Sequence, residues 1–586
     1  MKILLTAINA KYIHSNLAVY CLKAYAEKHF HVAEQSENNF NIEIAEYTIN
    51  QQMDDIMMDI YEKHPDVLCL SCYIWNLQYV EELVREIHKV RPMMSIWLGG
   101  PEVSYDAKDV LLRLPEVTGV MMGEGEKTFL ELCKCYQQQN ASQDELKNIA
   151  GITFRTDENE IIENPWRVPM DLSEVPFVYN DMKDFEHKII YYETSRGCPF
   201  SCSYCLSSID KKLRFRNVEM VKQELQFFID QKVPQVKFVD RTFNCKHDHA
   251  MEIWKYIAEN DNGVTNFHFE VSADLLNEQE IQLIKSMRPG LIQLEIGVQS
   301  TNPDTIKEIH RTMNFEKLGE IVKQIQEGNN IHQHLDLIAG LPFEDFQSFA
   351  KSFDDVYSLK PEQIQLGFLK VLKGSYMEEQ KENYGLVYKN QPPYEVLFTK
   401  WLTYEEVLRL KGIEEMVEVY YNSHQFERTL EKLEKEYDSM FHMYEKIWEF
   451  YKKNELHNLS HKRSARYEIL LSFVREEFPE KQENYRERLV VDYYLRENAK
   501  TRPAFAGDNK MSKEETRYFY ENEADTHKYL PDYQQFDKNQ MRKMTHLEYF
   551  ETLGQTILFD YKSRNPLNQE ARTCVIDLED YQRPEV

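Results

Sequence analysis

The chain has 586 residues, more than one hydrophobic core serves, so three or four domains are expected. Hydrophobic residues make up 42% and charged residues 29%, which excludes a disordered chain. The formal net charge of -28 repels polyanions at long range, so nucleic acid and anionic membranes are not the expected partners.

Residues 1 to about 145 alternate apolar runs with amphipathic stretches. "KILLTAI", "IEIAEY", "DVLCLS", "SIWLGG" and "VTGVMMG" read as strands, separated by helical patterns such as "NLQYVEELVREIHKV". Five such strands predict a doubly wound parallel sheet of Rossmann or flavodoxin type, with a ligand beyond the strands' carboxyl ends. Residues 146–185 read as a linker: a hairpin around the polar turn in "GITFRTDENEIIENP", then the Pro-punctuated crossing "MDLSEVPFVY".

Over residues 186–375 six further strands alternate with helices: "IIYYETS", "QVKFVD", "FHFEVS", "LIQLEIG", "HLDLIAG" and "QIQLGFL". Six βα units predict a partial (β/α) barrel with its chemistry on the loops that follow the strands. Residues 376–586 predict a mostly helical, heavily charged domain ending in strand-like runs, "THLEYFETL", "TILFDYK" and "TCVIDL". Its aromatic stripes at helical spacing read as core, and it carries no catalytic motif.

The chemistry concentrates in "SRGCPFSCSYC" (195–205), directly after the first barrel strand. Cys198, Cys202 and Cys205 are spaced C-x3-C-x2-C and leave a four-ligand site one donor short. Two readings remain open on the residues alone. One is zinc with a remote fourth ligand such as Cys245 or a histidine. The other is an iron-sulfur cubane in which the fourth iron stays free for a substrate or cosubstrate. The remaining cysteines form no regular disulfide framework. No apolar run is long enough for a signal peptide or a bilayer span, so a reducing cytoplasm is expected. The basic run "KKLRFR" (211–216) reads as a solvated loop.

The spacing, with Tyr204 in the aromatic slot before the last cysteine, resembles the radical S-adenosylmethionine (SAM) superfamily. That resemblance implies a [4Fe-4S] cluster on Cys198, Cys202 and Cys205 whose free iron binds SAM. Reduction of the sulfonium then releases methionine and a 5'-deoxyadenosyl radical. "EIGVQS" (295–300) resembles the family's G-x-Q-S element, which places Gly297, Gln299 and Ser300 beside SAM; "LDLIAGLP" (335–342) and "FEVSAD" (269–274) add Asp336 and Glu270. In "FVDRTFN" (238–244) Arg241 stands where relatives carry a second acid, so no role is assigned there.

The N-terminal loops resemble the cobalamin-binding domain of the cobalamin-dependent members. The segments are "NAKYIHSNLA" (9–18), "SCYIWN" (71–76), "LGGPEVS" (98–104) and "MGEGEKTF" (122–129). The resemblance implies cobalamin contacts from Asn9, Tyr12, His14, Ser71, Gly99, Gly100, Pro101, Glu102, Gly123, Glu124, Gly125 and Glu126. The D-x-H-x-x-G lower-ligand motif is absent, so cobalamin without a protein histidine on cobalt is expected. His14 reads as a loop histidine near the corrin. Residues 376–586 resemble an uncharacterised C-terminal extension of one bacterial branch.

The function that the resemblance implies is methyl transfer to an unactivated carbon. One SAM would methylate cobalamin and another would furnish the radical. The expected partners are a small-molecule or peptide substrate and an electron donor such as flavodoxin or ferredoxin. Ring closure, rearrangement and methylthiolation are the alternative chemistries, and a non-catalytic cobalamin or redox sensor is the alternative class.

Overall fold

The structure, a computed structural model, describes residues 1–30, 40–137, 142–499 and 501–580. The five expected N-terminal strands form as β1 (Lys2–Asn9), β2 (Asn41–Thr48), β3 (Val67–Ser71), β4 (Ser95–Gly99) and β5 (Gly119–Met121). They lie in the order β2-β1-β3-β4-β5 and pair in parallel, the flavodoxin-like order. Strand β1 is buried almost throughout, as a strand covered by helices on both faces must be. In the helix Leu77–Val90, Leu77, Val80, Leu83, Val84 and Ile87 make one buried stripe at helical spacing.

The hairpin expected in the linker belongs instead to this sheet. Strands β6 (Ile152–Arg155) and β7 (Ile161–Glu163) add antiparallel to the β5 edge. An exposed β5 edge would leave a row of unpaired backbone groups, and the hairpin covers it.

The barrel region opens with β8 (Ile190–Tyr192), followed by a two-residue ribbon, β9 (Ser195–Arg196) with β10 (Arg214–Phe215), that pairs antiparallel. Then come β11 (Gln235–Phe238), β12 (Asn266–Val271), β13 (Ile292–Gln299), β14 (His332–Ala339) and β15 (Gln363–Phe368), giving the sheet order β15-β14-β13-β12-β11-β8. Strands β8 and β11–β14 pair in parallel through helices Val218–Asp230, His247–Glu259 and Glu278–Ser286, and a fourth crossover broken into Pro303–Glu308 and Phe315–Gln326.

Two compact units result, and their limits differ from the expected boundary at 375. The first comprises Met1–Phe346 with Gly367–Tyr404, the second Gln347–Leu366 with Glu405–Val586. In the first, residues 367–404 carry the short antiparallel pair β16 (Val387–Tyr388) and β17 (Val396–Phe398). In the second, Tyr357 donates to Glu434 at 2.6 Å and the Phe441 amide donates to Asp354 at 2.8 Å.

The second unit is otherwise helical, with helices at Glu427–Leu433, Met440–Lys453, Arg463–Glu477, Gln482–Arg496 and Lys513–Thr526. It ends in an antiparallel sheet of β18 (Thr545–Phe550), β19 (Gln555–Arg564) and β20 (Ala571–Ile576). Buried Asp492 accepts from the Arg428 and Thr429 amides at 2.8 and 2.9 Å, and so caps a helix remote in sequence. Among the described residues no helix is long and apolar enough to cross a membrane.

Candidate functional site

The cysteine loop is closed at its base by the β9–β10 ribbon. Gly197 lies between ribbon and cysteines at φ +88, where a Cβ would stand 2.7 Å from the Lys212 carbonyl oxygen. Only glycine combines that backbone with that approach. Beyond it, the Cys198 amide donates to the Asp210 carbonyl at 3.2 Å, and the Ser208 hydroxyl donates to the Cys202 and Cys205 carbonyls at 3.0 and 2.6 Å. The Ser203 amide donates to Ile309 and its carbonyl accepts from the Met377 amide, both at 2.9 Å. Gly197→Ala is therefore expected to carry about 1–2 kcal/mol of left-handed strain besides the clash. Its measurable result is a lower iron-to-protein ratio after anaerobic reconstitution.

Cys198, Cys202 and Cys205 line one cavity of ≈ 260 Å³ together with Tyr204, Glu270, Gly297, Gln299 and Asp336. The sequence thus names eight residues that the fold brings to one place. Gly297 and Asp336 are direct partners across β13 and β14, and a bulge between Gly297 and Gln299 turns the strand end. Gln299 is nine-tenths buried, sits at φ +72, and its Oε1 has no hydrogen-bond partner. An orphaned acceptor facing a cavity suits a polar ligand with donor groups. Among the described residues no three His, Cys, Asp or Glu side chains are arranged to hold a single metal ion. A cubane takes each thiolate on a different iron, and the three-thiol donor set facing an open cavity fits that group.

Ser300 does not line the cavity. Its hydroxyl donates to Glu344 at 2.6 Å and accepts from the Asn302 amide at 3.0 Å, which commits it to the turn after β13. Arginine 241, left without a role by the sequence, lines the cavity and pairs both Glu270 oxygens at 3.1 Å. Arg311 was missed altogether. It lines the cavity, stands 3.9 Å from Cys202 Sγ and 3.5 Å from the Tyr204 hydroxyl, and donates to the Gly297 carbonyl. A guanidinium so placed offsets the negative charge of thiolates. Its only sequence signal is an arginine in the break between two helical segments.

Deeper in the barrel, Glu295 lines the same cavity and takes Lys237 at 3.1 Å and His268 at 2.9 Å. Burial raises its pKa, but hydrogen bonds from His268 and Lys237 prevail and hold it at about 2. Behind the cysteine loop, buried Asp240 accepts from the Thr194 amide at 2.9 Å, the Thr194 hydroxyl at 2.6 Å and the Ser195 hydroxyl at 2.7 Å. Burial nevertheless pushes this carboxyl from 3.8 up to about 7. A raised folded-state pKa stabilises the fold below the unfolded value and loses that contribution as pH rises through the folded one. The thermal midpoint of the native chain is therefore expected to fall towards that of Asp240→Asn between about pH 4 and about pH 7.

The N-terminal loops stand at the carboxyl ends of β1, β3, β4 and β5, with the switch point between β1 and β3. Tyr12 (67% exposed) and Trp75 (43%) leave aromatic rings uncovered there, and Trp75 stacks on Tyr73 with centroids 4.5 Å apart. Open apolar rings beside a switch point fit a large planar cofactor. Ser71 accepts from Asn16 at 3.0 Å.

Several of the named residues have internal partners. Asn9 donates to Glu46 at 3.0 Å and to the His14 carbonyl at 3.1 Å. His14 Nδ1 lies 2.6 Å from the Tyr191 hydroxyl on β8. At Gly100 (φ +110) a Cβ would meet the Cys72 carbonyl oxygen at 2.5 Å, so chain packing already requires that glycine; at Gly125 a Cβ would meet only the end of the Leu22 side chain, at 2.8 Å. Gly99 abuts Met121, and a Cβ on Gly123 would stand 3.2 Å from the Trp166 ring. Pro101 opens a short helix in which Glu102 is buried, its carboxyl raised by burial, with Lys373 3.7 Å away. Glu124 and Glu126 pair with arginines of the β9–β10 ribbon.

A B12 binding domain family matches residues 3–133, and the radical SAM superfamily matches residues 192–356. The chain thus carries a B12-binding domain followed by a radical SAM domain. Residues 382–570 match a protein family of unknown function, DUF4080. Among curated proteins, the chain is 28% identical over 306 residues to 2-(S-pantetheinyl)-carbapenam-3-carboxylate methyltransferase of Streptantibioticus cattleyicolor, covering 49% of this chain and 44% of that protein. It is 25% identical over 389 residues to the cobalamin-dependent radical SAM methyltransferase TokK of Streptomyces tokunonensis, covering 62% and 55%. The matches thus span about half the length of these relatives. Among solved structures, the cobalamin-dependent SAM radical enzyme OxsB with aqua-cobalamin superposes with a TM-score of 0.57 at 16% identity, covering 83% of this chain and 79% of that one. The methyltransferase TsrM of Kitasatospora setae gives 0.54 at 15% identity, covering 67% and 78%. At these identities the likeness is one of fold.

Proposed function

We propose that this chain is a cobalamin-dependent radical SAM enzyme that methylates an unactivated carbon of a small-molecule substrate. One observation carries the reading: the three cysteines open onto the cavity that also presents Gly297, the orphaned Gln299 Oε1 and Arg311. When bound, the cluster supplies the electron that cleaves SAM and the corrinoid supplies a methyl carrier. In this reading Cys198, Cys202 and Cys205 hold three irons. The Gly297 backbone and the Gln299 amide orient the cosubstrate, and Arg311 steadies the thiolate charge. Tyr12, Ser71 and the backbone of Gly99 and Gly100 form the corrinoid side. Glu270 and Asp336 offer acceptors for hydroxyl or amino groups at the barrel mouth. An electron donor such as flavodoxin or ferredoxin would serve the cluster.

Methylthio transfer would need a second three-cysteine set in the first domain. Cys69, Cys72 and Cys133 are buried in its core, and burial pushes the Cys69 thiol up to about 12. Such thiols are poor ligands because the thiolate is the binding form. The test is to supply reductant and SAM to anaerobically reconstituted protein and to assay iron, corrinoid and 5'-deoxyadenosine. Iron and corrinoid with release of 5'-deoxyadenosine support the proposal. Stoichiometric zinc without iron, or loaded protein that leaves SAM intact, sinks it.

A further inference from the structure

The GEGE loop suggests a different task from corrin binding. Strands β9 and β10 pair Arg196 directly opposite Arg214, at the base of the cysteine loop. Each arginine takes one carboxylate from the loop after β5. Arg196 meets Glu126 at 2.5 Å, and Arg214 meets Glu124 at 2.5 Å; Arg196 also lies 3.8 Å from Glu124. The pairs are sheltered, with side-chain exposures of 18% and 5% for Arg196 and Glu126, and 16% and 21% for Arg214 and Glu124. Each arginine has a further carboxylate on its own side, Glu193 at 2.8 Å and Asp210 at 2.6 Å.

We propose that Glu124 and Glu126 are positioning residues: with Arg196 and Arg214 they form a four-residue latch that fixes the first domain's ligand loops against the cysteine loop. It rests on the reading above that the two loop sets hold the two cofactors. Charge-assisted pairs in crossed register resist sliding as well as separation, which a single apolar contact does not. Methyl transfer between cofactors on different domains needs such fixity, because a misplacement of about 1 Å can cost on the order of 10²-fold in rate.

The experiment uses the reconstituted holoprotein and the variants Glu124→Gln, Glu126→Gln and their combination. Pulsed EPR reads the distance between cob(II)alamin and the reduced cluster. The expected result is unchanged iron and corrinoid content with a spin–spin distance distribution broadened or shifted by about 1 Å or more. A loss of corrinoid affinity at unchanged distance would mean that the carboxylates are corrin contacts and would overturn the latch. So would variants that change neither. Hydrogen exchange in the cofactor-free chain supplies a second readout. The Cys198 amide, bonded to Asp210, is expected to exchange at least about tenfold faster in Glu124→Gln, which spares buried Glu126. Unchanged exchange there would also overturn the proposal. A native chain that takes up neither cofactor would instead overturn the functional reading, and exchange alone would then decide the latch.

Discussion

Replacing Cys198, Cys202 and Cys205 together by alanine is expected to abolish iron incorporation, from about four irons per chain to none. Corrinoid binding by the first domain is expected to persist, because none of the three thiols contributes to the sheet β1–β7 or its loops. The loop should keep its path. Its closure rests on the β9–β10 pairing and on backbone bonds to Asp210, Ile309 and Met377, none of which needs a thiol. Iron analysis and the visible absorption of the corrinoid measure the two outcomes separately. Simultaneous loss of iron and corrinoid would mean that the two sites are not separable, against the picture of two ligand loops on two domains.

The largest stability effect is expected at Glu224. Its carboxylate takes Arg216 in a two-point grip, 2.5 and 3.0 Å, and accepts the Tyr192 hydroxyl at 2.5 Å. Arg216 is buried and also donates to the Leu172 and Val175 carbonyls at 2.9 and 2.7 Å, tying the interdomain crossing to the barrel. Glu224→Ala strands the guanidinium in a low-dielectric site, and breaking a buried pair from one side costs about 3–5 kcal/mol. A drop of several degrees in the thermal midpoint of the first unit is the expected reading. The double variant Glu224→Leu with Arg216→Met removes both charges, so it is expected to be less damaged than Glu224→Ala despite carrying more changes. If the double variant is the worse of the two, the bonds to Leu172 and Val175 dominate and the ion pair does not.

Strand identity was legible because parallel strands covered on both faces are short apolar runs, and "VLCLS" or "IIYYETS" resemble little else. The three cysteines were legible because their spacing is local. What failed was long-range. Nothing near Arg311 announces that the break between two helical segments carries a guanidinium to Cys202. Nothing in "MGEGEKTF" says that its carboxylates meet arginines some 70–90 positions on. Ser300 shares a motif with Gln299, but alternation along the strand and the bulge before Gln299 send their side chains to different partners. The hairpin at 152–163 was legible as a hairpin but not as the cover for the β5 edge, because pairing partners lie outside any local window.

The interleaving of the two units bears on how the chain is made. The ribosome delivers residues in order, but the first unit lacks Gly367–Tyr404 until those residues emerge, and Gln347–Leu366 must wait for the region beyond Glu405. During that interval the helix ending at Tyr357 has no Glu434 to bond. Neither unit can be excised by a single cut. A shortened gene ending near 375 would yield a barrel without the Met377 bond to the cysteine loop and with residues 347–366 parted from the rest of their unit, a product prone to aggregate rather than a minimal enzyme.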